Sequence, residues 1–124
     1  MFKLLILMLF KEVFIMSFRV VNKKHYWGIG EYIGRPSVLG NPFRIGSDGS
    51  REEVIEKYRR WLWGEIKKKS EVYDELVRLL ELEENTFELT LICHCKPLAC
   101  HGDVIVRALN WLFYQLYDEE SWGK

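Results

Sequence analysis

All three cysteines and two of the three histidines of this chain fall within nine consecutive residues, Cys93-His94-Cys95-Lys96-Pro97-Leu98-Ala99-Cys100-His101, and Asp103 follows close behind. Thiolates bind soft metals and attack electrophiles, and an adjacent imidazole can take up the proton that a thiol gives away. Residue types of this kind, gathered this tightly, point to a site.

Three chemistries fit the segment. In the first, Cys93, Cys95, Cys100 and His101 form a Cys₃His set suited to zinc, with a three-cysteine iron–sulfur cluster as a variant. The C-x-C-x₄-C-H spacing is tighter than paired C-x₂-C knuckles, and adjacent Cys100 and His101 strain joint ligation. In the second, Cys100 or Cys95 is a nucleophile with His101 as base and Asp103 as its orienting partner. In the third, Cys93 is a core residue and the others line a loop, since free cysteine is among the most buried residue types. A C-x₅-R phosphate loop is excluded: six residues after Cys95 stands His101, and six after Cys100 stands Val106.

The flanking elements explain how such a site is held. Glu88–Cys93 is the best strand in the chain, and its apolar run of Leu89, Leu91 and Ile92 predicts a central place in a sheet. On a continuing strand Cys93 and Cys95 share a face while His94 points away. Pro97 turns the chain, and a helix is predicted from His101 to Leu116, with Val104, Ile105, Ala108, Leu109, Leu112, Phe113 and Leu116 inward. Cys100 and His101 then sit at a helix start, where free amides and the dipole favour a thiolate.

Upstream, Phe18–Val21 has strand character, and Glu31–Ile33 predicts a second short strand. Between that strand and the first long helix lies a loop with Gly34-Arg35-Pro36 and Gly40-Asn41-Pro42. Glycine permits close backbone approach to a ligand, and Arg35 can fork onto a phosphate or carboxylate. Two ordinary turns with a surface arginine are the plainer reading. Ser50-Arg51-Glu52-Glu53 is a capping box, followed by Val54, Ile55, Tyr58, Trp61, Leu62 and Ile66 at helical spacing. A further helix is predicted over Glu71–Glu83, with Val72, Leu76, Val77, Leu79 and Leu80 inward. Trp27, Tyr32 and Trp63 fall off the buried periodicities; they are placed to stack on a base or to pack against the N-terminal segment.

The order of elements predicts one α/β domain over residues 16–118, with a three-stranded, mainly parallel sheet layered by three to four helices, and a tail over 119–124. Residues 1–15 are apolar but too short to span a bilayer; they read as an extension, or as sequence upstream of a true start at Met16. Lys plus Arg and Asp plus Glu balance at 18 each, which disfavours a role built on phosphate contacts to long duplex nucleic acid. An odd cysteine count without a secretion signal fits a reducing cytoplasm.

With these residues in hand, the chain resembles a family of small proteins from bacteria, archaea and their viruses that carry the domain of unknown function 4326. The matching pieces are Val20-Val21-Asn22, Tyr32-Ile33-Gly34-Arg35-Pro36-Ser37, Gly40-Asn41-Pro42-Phe43, Ser50–Val54, Tyr58, and Cys93, Cys95, Pro97 and Cys100–Val104. His94 departs from the family's usual aromatic residue, and Glu81–Asn85 looks like an acidic insert. The resemblance implies that the glycine–arginine loop and the cysteine–histidine loop belong to one module. In an α/β layer both would meet beyond the carboxyl ends of the strands, with Arg35 facing Cys95, Cys100, His101 and Asp103. The expectation is a pocket for a phosphorylated, nucleotide-like ligand: Arg35 and the amides of Gly34, Gly40 and Asn41 hold the anion, and Cys100, His101 and Asp103 supply thiolate or acid–base chemistry. The alternative is a non-catalytic module, stapled by zinc or an iron–sulfur cluster, that binds protein or nucleic acid.

Overall fold

The computed structural model describes residues 16–86 and 88–121. Strands β1 (Phe18–Asn22), β2 (Glu31–Tyr32) and β3 (Leu89–Cys93) form one parallel sheet in the order β1-β3-β2. Helices α1 (Arg51–Lys68), α2 (Glu71–Thr86) and α3 (His101–Ser121) complete a single small α/β domain, and a short 3₁₀ turn spans Lys23–His25. The reading of residues 1–15 lies outside the described residues. Helix α3 runs on past Leu116 into the stretch expected to be a tail.

β3 takes the centre because it has the least polar surface to leave in water: Leu89, Thr90, Leu91 and Cys93 are all buried. It pairs with β1 through Phe18↔Leu89 to Asn22↔Cys93, and with β2 through Glu31↔Leu91 and Tyr32↔Ile92. Parallel pairing sends every strand the same way, so the segments after β2 and after β3 emerge at one edge of the sheet. That fact positions the site.

The capping box at the start of α1 is complete. Ser50 Oγ accepts the Glu53 amide at 3.2 Å, and the Glu53 carboxylate accepts the Ser50 amide at 2.8 Å. Val54, Tyr58, Leu62 and Ile66 then face the core at helical spacing, with Ile55 and Trp61 packed at its margin. The acidic stretch Glu81–Asn85 forms the last turns of α2. Within it Glu83 is fully buried, and its Oε2 accepts the Ser17 amide at 2.8 Å, pinning the approach to β1. Val77, expected inward, is half-buried at the margin of the core.

Two contacts bring the helices onto the sheet edge. A Cβ on Gly102 would meet Val20 Cγ1 at 2.8 Å and Ile33 Cδ1 at 3.1 Å, so the absence of a side chain lets the first turn of α3 rest on β1 and on the end of β2. Tyr58, with no exposed surface, donates its hydroxyl to the Leu39 carbonyl at 2.7 Å and so ties the glycine loop to α1. Tyr58→Phe leaves that carbonyl without its donor and is expected to destabilise the fold by about 1–3 kcal/mol. Urea denaturation should show a lower midpoint with an unchanged slope.

Candidate functional site

The loop after β2, the loop after β3 and the first turns of α1 enclose a cavity of about 250 Å³ at the carboxyl edge of the sheet. Its wall brings together Gly34, Arg35 and Asn41 from the first loop with Cys95, Cys100 and His101 from the second. The two halves expected from the sequence do meet.

Within the first loop, Arg35 is anchored by its neighbours. Its Nη1 donates to the Asn41 carbonyl at 2.7 Å, and that bond leaves other guanidinium N–H groups uncommitted to Asn41. Asn41 is itself committed: Oδ1 accepts the Phe43 amide at 2.8 Å and Nδ2 donates to Val54 of α1 at 3.4 Å. Gly40 does not line the cavity. A Cβ there would meet the Arg35 backbone at 2.9 Å, and its amide donates to the Ser37 carbonyl at 2.9 Å, so Gly40 shapes the loop and has no amide to spare for an anion.

The second loop departs from a continuing strand. β3 ends at Cys93, so Cys93 lies inside the core with no exposed surface, whereas His94 and Cys95 both turn into the cavity wall. The Cys95 amide points back at Cys93 Sγ at 3.4 Å. At the start of α3, Cys100 Sγ accepts the Gly102 amide at 3.2 Å, filling the capping role that serine or aspartate usually takes.

His101 is the keystone of this half. Its Nε2 lies 2.8 Å from the Ile33 carbonyl oxygen, which only accepts, so Nε2 carries the proton. Nδ1 is left with a lone pair, facing Cys100 Sγ at 3.6 Å, and the ring stands edge-on to Tyr58 at 5.0 Å. Burial lowers its pKa; the Ile33 bond opposes this, nearby Arg35 adds to it, and Asp103 acts weakly the other way. Asp103 is not the orienting partner expected from the sequence. It pairs with Lys96 Nζ at 2.6 Å, and the orientation of His101 comes from the Ile33 carbonyl.

Cys100 also departs from the activated thiolate. Its side chain is hydrogen-bonded to that of Cys93; that bond and burial push its thiol pKa up. Cys93 is shifted the opposite way, because the Cys100 thiol and the Cys95 and Lys96 amides point at its sulfur. Among the described residues, no three histidine, cysteine or acidic side chains are arranged to hold one metal ion.

Two residues of the wall with charged or titratable side chains, Arg51 and His94, lie outside the candidates that the sequence marks. Arg51, the first residue of α1, lines the cavity and donates Nη1 to the Ala99 carbonyl at 3.0 Å, tying the start of α1 to the second loop. Its signal was visible: a cation in the first turn of a helix opposes the dipole and calls for an anion. His94 lines the wall too, with Nε2 at 2.8 Å from Tyr32 Oη. Tyr32 Oη in turn donates to the Arg35 carbonyl at 2.8 Å, so His94 Nε2 is the donor and Nδ1 holds the free lone pair. Phe43, Ile45, Val54 and Ile55 supply an apolar wall. Trp63 is elsewhere, packed edge-on against Trp111 at 5.1 Å between α1 and α3.

Residues 18–111 match the family described as domain of unknown function (DUF4326). The chain belongs to that family. It is similar to an uncharacterised 12.4 kDa protein in the nrdA-td intergenic region of Enterobacteria phage T4, 36% identical over 110 residues that cover 83% of this chain and 87% of the phage protein. No solved structure matches the chain. No helix among the described residues is long and apolar enough to cross a membrane.

Two measurements test this geometry. Native alkylation with iodoacetamide should label the half-buried Cys95 first, well ahead of Cys93 and Cys100, which are 0% and 1% exposed; peptide mapping by mass spectrometry reads the order. The second concerns pH. A depressed folded-state pKa for His101 means that the unfolded chain binds a proton the folded chain refuses. Its effect is absent above the unfolded value of about 6.5 and removes stability as pH falls below it. Denaturation midpoints should decline below that pH, with the His101 ring signals remaining those of the neutral Nε2–H form by NMR.

Proposed function

We propose that the cavity binds a phosphorylated, nucleotide-like small molecule, with its anionic group on Arg35 and Arg51 and its ring against Phe43, Ile45, Val54 and Ile55. The observation that carries this reading is the charge of the wall. Two arginines line it, and among the described residues no carboxylate does. Each guanidinium is anchored by one bond to a backbone carbonyl, which leaves other N–H groups to fork onto phosphate oxygens without further ordering. The starts of α1 and α3 border the same space and add their dipoles in the same sense.

A binding role for the cysteine–histidine loop fits better than thiolate attack by Cys100. Its sulfur is buried and accepts the Gly102 amide, while His101 is spent on joining the loops. Proton transfer in the pocket falls more naturally to His94, whose Nδ1 keeps a lone pair.

Thermal-shift measurements across a panel of nucleoside mono-, di- and triphosphates test the reading. A subset should raise the melting temperature by mass action. Arg35→Ala and Arg51→Ala should each weaken binding of the best ligand by about 1.5–3 kcal/mol, roughly ten- to a hundredfold. A wild-type protein indifferent to the whole panel overturns it.

A further inference from the structure

Beside the cavity stands a second feature that the pocket does not use. Directly after β1, Lys23, Lys24 and His25 form an exposed basic turn, and among the described residues no carboxylate pairs with them. The Lys23 ammonium lies 5.3 Å from the centre of the Tyr32 ring, and Tyr32 belongs to the pocket wall. Asn22 fastens this turn to the second loop, donating to the His94 and Lys96 carbonyls at 3.3 and 2.7 Å. The basic turn therefore forms the rim of the mouth.

Next in the chain are Trp27 and Ile29, 94% and 95% exposed. Leaving an indole this bare forgoes hydrophobic burial that a folded domain ordinarily secures. The loop that presents it is nonetheless fixed. Tyr26 Oη closes it by donating to the Ile29 carbonyl at 2.8 Å, and the Arg19 guanidinium lies 5.2 Å from the centre of the Tyr26 ring. A Cβ on Gly30 would meet the Thr90 carbonyl oxygen at 2.8 Å, so the loop's end lies directly on β3.

We infer that the cavity receives the phosphorylated end of a single-stranded polynucleotide, with Lys23 and Lys24 on the following phosphates and Trp27 stacked on a neighbouring base. This rests on the phosphate-binding reading of the pocket and names its substrate class. An aromatic ring beside cations, without base-edge donors in a groove, is the chemistry of sequence-tolerant single-strand binding. A neutral chain suits it as well, since a short contact neutralises a few phosphates and needs no basic surface extending over the whole protein. A bilayer would engage the Trp27–Ile29 loop but would put nothing into the concave pocket.

The test compares a terminally phosphorylated oligothymidylate, followed by fluorescence anisotropy, with thymidine monophosphate followed by calorimetry. The oligonucleotide should bind more tightly than the mononucleotide. Trp27→Ala, which removes an exposed side chain and spares the core, should weaken the oligonucleotide about tenfold and leave the mononucleotide unchanged. Lys23→Ala with Lys24→Ala removes two phosphate contacts and should make the slope of log affinity against log salt shallower by about 1.4. Equal affinity for both probes, or an oligonucleotide affinity untouched by Trp27→Ala, overturns the inference and leaves the pocket reading standing. Failure of both probes removes the inference and counts against the pocket reading, which the nucleotide panel then decides. Binding to anionic phospholipid vesicles without binding to the oligonucleotide overturns the inference in favour of a membrane-facing loop.

Discussion

The hydrogen bond from His101 Nε2 to the Ile33 carbonyl spans the edge of the sheet, from the first residue of α3 to the residue that follows β2. It is buried, its acceptor has no proton to exchange, and it fixes the imidazole in one tautomer. Each half of the pocket is referenced to it. On one side the chain leads from Ile33 into Gly34 and Arg35; on the other, Cys100 and the loop back to β3 hang from the helix start. Gly102, packed on Val20 and Ile33, allows α3 to come close enough for the bond to form. Protonating this histidine would remove the lone pair facing Cys100 and place a charge in a dry site beside Arg35, which is why burial holds it neutral.

Around that bond the polar groups divide into those that build the pocket and those left free within it. Asn41, Gly40, Cys100 and Asp103 spend their hydrogen bonds on loop and helix geometry. Arg35 spends one bond on the Asn41 carbonyl of its own loop, Arg51 spends one on the Ala99 carbonyl across the cavity, and both keep the rest. The two guanidinium groups therefore keep donors free without being floppy, and ordering costs that weaken a surface arginine's grip on an anion are partly met before any ligand arrives. Arg51 also crosses from α1 to Ala99, so the second loop, already joined to the first by His101, is tied to α1 as well.

The fold was largely legible in the chain because it is written in local patterns. The apolar run of β3, the Ser50–Glu53 box and the spacing of Val54, Tyr58, Leu62 and Ile66 are each short-range signals with one physical reading. The site was legible in part. Residue chemistry marked Arg35, Asn41, Cys95, Cys100 and His101, and the structure gathers them into one wall. Roles that depend on direction were not legible. Side-chain alternation puts Cys93 and Cys95 on one face only if the strand continues, and it stops at Cys93. Asp103 was read as the partner of His101 from nearness in sequence, yet Lys96 claims it through a turn that no periodicity describes. Arg51 was passed over because the capping box accounted for its neighbours.

The sequence by itself determined the family, the order of strands and helices, the start of α1 and the concentration of titratable groups in two loops. These follow from composition, spacing and local hydrogen bonding, which act between residues a few positions apart. Only the tertiary structure decided that the two loops share one cavity, that Arg51 and His94 belong to it, and that His101 ties it together while Cys100 caps α3. Those outcomes depend on parallel pairing of β2 with β3 and on the burial that follows. Burial and long-range hydrogen bonding set which proton sits where, and neither is a property of any short stretch of chain.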